Sequence, residues 1–264
     1  GSSTARGRTT WRWSELSPMT PTRAFFLVGD YRVARGLHGG KPVVTAVPRD
    51  APREGPQPAA LARIGEIADW LERRFGPYPF DAYGAVVVDN GAVRATPAPQ
   101  TRPVFATREL RTGAQASASV ARGLAEQWFG ASVTPGHWED SWLSEGFATY
   151  AQWLWIEHDG GATVEQTVQG HYETFPWQAF PAADPGPELM FAPVTGDRGA
   201  MALHALRRRI GDTAFFGLLH RWAAGRAHST GTTADFVTAA EEAAGQSLTG
   251  FFDVWLNGGY RPTY

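Results

Sequence analysis

Three charged side chains are spaced for acid–base work. Arg122 and Glu126 lie four positions apart in Arg122-Gly123-Leu124-Ala125-Glu126, and Glu145 follows with 18 residues between. On a helix, i and i+4 share a face, so guanidinium and carboxylate are neighbours. If Glu145 reaches that face, two carboxylates flank one fixed cation and the summed charge is −1. Like charges disfavour double ionisation, so one carboxyl keeps its proton nearer neutral pH while the other stays anionic. Arg122 opposes that shift, because it favours both ionised forms. An acid beside an anion suits proton transfer without a metal. Two plainer readings compete. One is a solvated salt bridge worth a few tenths of a kcal/mol. It is favoured by the apolar stripe Val120, Leu124 and Trp128, which puts Arg122 about 200° from Val120 at about 100° per residue. The other is a structural cluster in which Arg122 merely ties two acids together.

The elements that must position these residues are legible in outline. Residues 9 to 34 alternate in strand fashion, and residues 38 to 58, rich in Gly and Pro, read as loop. Leu61 to Phe75 predicts a helix with Leu61, Ile64, Ile67, Ala68 and Leu71 on one face, ended by Gly76-Pro77-Tyr78-Pro79. Tyr83 to Val88 predicts a buried strand, and residues 90 to 103 a loop or interrupted edge strand. Helices are expected over 116–129 and 139–157. From about residue 160 the pattern is helical to Asn257, broken by a Pro-rich stretch from Pro176 to Pro193. Strands first and helices later give an α+β half followed by an α half.

Bulk properties set the limits. The chain has 264 residues, 43% of them hydrophobic, enough to bury a large core. Net charge is −2 with no basic patch, so nucleic acid is not expected as a partner. Cysteine is absent, which removes disulfides and thiol chemistry. No apolar run reaches transmembrane length and no signal peptide is visible, so no membrane partner is expected and a cytoplasmic location is slightly favoured. Lys41 is the only lysine among 24 basic residues, which with abundant Ala and Gly suggests a GC-rich bacterial gene. Gly1-Ser2-Ser3 reads as a vector-derived remnant, which leaves open what natural sequence precedes it. The seven histidines form no i,i+3 or i,i+4 pair, so neither a metal site nor a cofactor is expected.

The words around the charged residues resemble a known family. Glu126-Gln127-Trp128-Phe129-Gly130 and Trp142-Leu143-Ser144-Glu145-Gly146-Phe147-Ala148-Thr149-Tyr150 are similar to the M1 metallopeptidase (aminopeptidase N-like, gluzincin) catalytic domain. There, HExxH followed by QWFG precedes WLNEGFATY. Tyr78-Pro79-Phe80-Asp81, Gln100-Thr101-Arg102-Pro103 and Arg198-Gly199-Ala200-Met201 also sit where the family has similar words. The resemblance implies an α+β, thermolysin-like fold, with a small mixed sheet plus helices followed by a helical subdomain. The domains expected are 1–45, a remnant of a β-rich N-terminal domain; 46–160, the α+β half; and 161–264, the helical half. In the family, two imidazoles on one helix face and a distant carboxylate hold zinc, and the motif's glutamate takes the proton of its water. Here those positions carry Arg122, Gly123 and Glu126, and only Glu145 is kept. An arginine cannot ligate a metal. The family's amine-holding glutamate has no counterpart in residues 94–99, and its tyrosine none in Val194-Thr195-Gly196-Asp197-Arg198.

The expected catalytic residues are therefore Glu126, Glu145 and Arg122, with no metal. Trp177 and Phe180, in the Pro-rich break, and Asp197 and Arg198, near the missing tyrosine, are the expected substrate contacts. Asp140 is either a family-like carboxylate behind the site or a helix cap. Gly123 is either drift or room for a ligand. Three functions remain open. The chain is a metal-independent acid/base enzyme (cyclisation, hydration or isomerisation type) acting on a small or peptide-derived substrate; or it is an inactive pseudopeptidase that binds a peptide or partner protein; or, least favoured, it is a zinc aminopeptidase. Oligomeric state is not legible.

Overall fold

The computed structural model describes residues 1–12, 14–89, 91, 98–178 and 181–263. An exposed antiparallel hairpin, β1 (Ser2–Ala5) and β2 (Arg8–Trp11), opens the chain. The main sheet has order β3-β4-β5-β6, built from Tyr31–His38, Lys41–Pro48, Tyr83–Val88 and Val104–Ala106. It is mixed: β3 and β4 are antiparallel, while β4–β5 and β5–β6 are parallel. Parallel pairing needs a crossover. Helices α1 (Pro56–Ala62) and α2 (Ile64–Phe75) supply the one from β4 to β5.

Two expectations need correction here. Residues 38 to 58 are not all loop, because β4 occupies Lys41–Pro48. Gly39 and Gly40 take positive φ of 55° and 80°, the turn that a tight hairpin demands. The β-branched Val43-Val44-Thr45 then continues into the sheet. Residues 9 to 34 are not strand throughout: the strand of the main sheet starts only at Tyr31, and Pro21–Arg23 ahead of it is a 3₁₀ turn. The domain boundary expected at residue 45 thus falls inside β4.

Helix α3 (Gly113–Trp128) packs against α1, α2 and α4 (Trp142–His158). Val120, Leu124 and Trp128 are all buried, as the stripe requires. Trp128 fixes the register of α3 by donating from Nε1 to the carbonyls of Gly76 and Pro77 at 3.0 and 3.1 Å. The helical half comprises α5 (Val164–Thr174), α6 (Pro193–Ile210), α7 (Asp212–Gly225), α8 (Thr233–Ala244) and α9 (Thr249–Phe252). A short parallel pair, β7 (Val133–Pro135) with β8 (Ser229–Gly231), ties it to the first half. Helices α4 and α6 cross at two glycines: a Cβ on Gly146 would stand 2.9 Å from the Gly199 Cα. That crossing brings Glu145 and Asp197 to one side of the helix pair. No helix among the described residues is long and apolar enough to cross a membrane.

Candidate active site

A cleft of about 1390 Å³ opens between α3, α4, α5, the start of α6 and the segment around Arg23. Arg122, Glu126, Glu145 and Asp197 all line it. Arg122 is therefore on the cleft side of α3, not in open solvent. Its Nη2 is ion-paired with Glu145 Oε2 and lies 3.8 Å from Glu126 Oε1. Its Nη1 donates to Thr149 Oγ1 at 2.6 Å.

A fourth charge completes the cluster. Arg23 reaches in from the 3₁₀ turn, donating from Nη1 to Glu126 Oε2 and to the Ala98 carbonyl, both at 3.2 Å. Its Nη2 donates to Ser144 Oγ at 3.2 Å, and that hydroxyl donates on to the Phe129 carbonyl. Two guanidinium groups now face two carboxylates, so the net charge is zero rather than −1. Glu126 is buried at 5% exposure. Burial, then the Glu145 charge, push its carboxyl above the usual carboxylate range against the pull of both arginines. Burial alone would lower the Arg122 guanidinium, but Glu145 and Glu126 together raise it.

Gly123 does not open room for a ligand. A Cβ there would meet Phe105 Cζ at 2.7 Å and Pro103 Cβ at 3.0 Å. Asp140 is a structural cap: it accepts from Thr233 N at 2.8 Å and Thr233 Oγ1 at 2.7 Å, pinning the start of α8.

Of the three expected substrate contacts among the described residues, the structure brings Asp197 to the cleft and not Trp177 or Arg198. Trp177 is buried, donates to the Tyr172 carbonyl and packs against Tyr172 and Trp255. Arg198 is fully buried and donates from Nε to the Trp255 carbonyl at 2.7 Å, holding the chain end against α6. Both are core residues, because the Pro-rich break and the C-terminal turn fold over them. Phe180 lies outside the described residues, as do residues 92–97, which hold most of the segment 94–99 where the family's amine-holding glutamate is expected to have no counterpart. Among the described residues, no group of three or more His, Cys, Asp and Glu is placed to hold a metal ion.

This mixed sheet, with two crossed helices walling a cleft, is the α+β arrangement of an M1-type catalytic domain. The Peptidase family M1 domain profile matches residues 103–255, and the chain belongs to that family. It is 27% identical over 218 residues to aminopeptidase N of Streptomyces lividans, covering 71% of this chain and 24% of the relative. Aminopeptidase N of Lactococcus lactis subsp. lactis is 28% identical over 158 residues, 54% of this chain and 18% of its own. Among solved structures, a point mutant of an M1 zinc metallopeptidase from Deinococcus radiodurans, bound to Tyr-Ser-Ala, superposes with a TM-score of 0.86 at 25% identity. It covers 100% of this chain and 60% of its own. The chain thus spans about a quarter of the aminopeptidases' length.

Proposed function

We propose that this chain is a zinc-independent member of its family. In this reading it binds a small or peptide-derived substrate in the cleft and transfers protons there, with Glu126, Glu145 and Arg122 on the cleft floor. The observation that carries the reading is the Arg122 guanidinium between the two carboxylates. A divalent cation at that point would meet a permanent positive charge, and the carboxylates are already engaged. The donor set therefore does not fit zinc, and no step is routed through a metal. What the set does fit is a proton donor beside an anion. Glu126 is shifted toward its protonated form, and Glu145 stays tied to Arg122. Cyclisation, hydration and isomerisation can all use such a pair, and of the three only hydration consumes a water. A peptide-derived substrate is favoured because a mutant M1 zinc metallopeptidase from Deinococcus radiodurans is bound to Tyr-Ser-Ala, and mutants of a two-domain M1 zinc metallopeptidase are bound to L-tryptophan and L-arginine.

A second reading, binding without turnover, is favoured by Arg23. It engages Glu126 Oε2 and balances the charge of the cluster's second carboxylate. The deciding experiment measures bound zinc and turnover of a dipeptide and tripeptide panel in the presence of a chelator. Zinc-free protein with turnover lost in both Glu126→Gln and Glu145→Gln supports the enzyme reading. Chelator-resistant peptide binding without conversion supports the second. Stoichiometric zinc that survives purification overturns both.

A further inference from the structure

The cleft holds a second titratable pair that this chemistry does not use. His171 on α5 has its Nδ1 3.4 Å from Asp197 Oδ2 on α6. Its ring lies 4.8 Å from the Trp153 ring on α4, tilted by 35°. Thr167, one turn earlier on the same face of α5, lines the cleft with His171, Trp153 and Asp197. The His171 side chain is 39% exposed, and among the described residues its Nε2 has no hydrogen-bond partner. The floor cluster is the opposite case: Glu126 is buried, and a guanidinium is on each acid. A group that exchanges protons with a ligand needs an open nitrogen and a partner that fixes its tautomer. His171 has both.

We propose that His171, oriented by Asp197 and Trp153, is a catalytic base and acid of this cleft, contacting an N–H or O–H group of a peptide-derived ligand. The inference rests on the cleft being the substrate site. The Asp197 carboxylate, 3.4 Å from Nδ1, favours the proton on that nitrogen, which leaves the Nε2 lone pair as the basic site. As Nε2–H forms, the ligand's N–H or O–H bond breaks and the ligand keeps the electron pair. The same proton then passes from Nε2 to the product atom, restoring neutral imidazole.

The charges around His171 suit the task. From α6 it faces the Asp197 carboxylate, and from α4 the neutral Trp153 ring. Glu145 on α4 and Arg122 on α3 lie along the same cleft. On α5 itself, Glu165 is engaged with His204 and Arg208, and Glu173 with Gln169. The Asp197 hydrogen bond outweighs burial and holds the imidazole above its ordinary value. Asp197 also helps to raise Arg122, so the two centres share a field.

The test follows conversion of Tyr-Ser-Ala by the full chain in EDTA, by mass spectrometry and proton NMR, from about pH 5 to about pH 9. His171→Gln is expected to lower kcat by roughly 100-fold or more, with a smaller change in KM. The acid limb of the rate profile should follow the His171 pKa read by NMR, and Asp197→Asn should move that limb to lower pH. A His171→Gln rate within about twofold of wild type, an unmoved limb in Asp197→Asn, or no conversion at any pH either in EDTA or with zinc added back overturns the proposal. The two readings separate cleanly. Conversion lost in Glu126→Gln and Glu145→Gln but kept in His171→Gln sinks the histidine and leaves the proposed function. Conversion that requires zinc and is lost in His171→Gln does the reverse.

Discussion

Arg23 Nη1 stands 3.2 Å from Glu126 Oε2, across 103 residues of sequence, and both side chains are largely buried. Removing one partner of a buried pair leaves the other charge desolvated, on the order of 3 kcal/mol. Arg23→Ala should therefore unfold at lower urea concentration at pH 7. The missing cation also raises the Glu126 pKa further, so the deficit should shrink as pH falls and the carboxyl protonates in both proteins. A deficit that is the same at acid and neutral pH would show that Arg23 acts through packing alone.

Glu126 itself sets a pH slope. Its folded pKa lies above the ordinary carboxylate value, so between the two the folded chain binds more protons than the unfolded one. Stability is then fully present below the unfolded value and is lost as pH rises through the folded one. Glu126→Gln abolishes this slope. The variant should gain on wild type as pH increases from the ordinary carboxylate value through the folded one, in denaturation curves taken pH by pH. Parallel curves, or a variant that loses ground, would contradict the assigned direction.

The crossing of α4 and α6 is predicted to be intolerant of volume. Gly146→Ala puts a methyl 2.9 Å from the Gly199 Cα and 3.0 Å from its carbonyl carbon, and backbone cannot step aside as a side-chain tip can. Alanine gains about 1 kcal/mol in helix propensity, while overpacking costs about 1–3 kcal/mol. A net loss is expected in thermal or urea unfolding. Because Glu145 precedes this glycine, the Arg122–Glu145 contact should loosen with it. A variant as stable as wild type would mean that the helices separate at little cost.

How far this site could be read in advance depended on sequence distance. Arg122, Glu126 and Glu145 were legible because a helix repeat and two flanking words fix their relation within 24 residues. The buried face of α3 and the strand β5 followed from apolar pattern, and the overall fold from resemblance. Arg23 carried no signal, since its role exists only once a 3₁₀ turn far upstream packs on α3. The pairing of His171 with Asp197 was equally hidden, since the two sit on separate helices with a Pro-rich segment between. Proximity to a lost family tyrosine drew attention to Arg198 as well as Asp197. Adjacent helical residues diverge by about 100°, so one faces the cleft and the other the core. Strand β4 was missed because glycine and proline outweighed Val43-Val44-Thr45; the two glycines were the hairpin turn itself.

The sharpest prediction concerns rebuilding a metal site. Arg122→His with Glu126→His would place two imidazoles at i and i+4 on α3, facing a Glu145 that already touches position 122. That double variant is expected to bind zinc more tightly than wild type, read by metal analysis after gel filtration. Arg23 would still aim a guanidinium at position 126, so adding Arg23→Ala should tighten the zinc further by removing a like charge. Restoring the family's glutamate at position 123 should fail even then. Gly123 is packed against Phe105 and Pro103, and a longer side chain must push both away from α3. If the rebuilt triad bound no zinc, the obstacle would lie in the set of the helices and not in the charge of Arg122. The reading of that guanidinium as the barrier to the metal would then have to be abandoned.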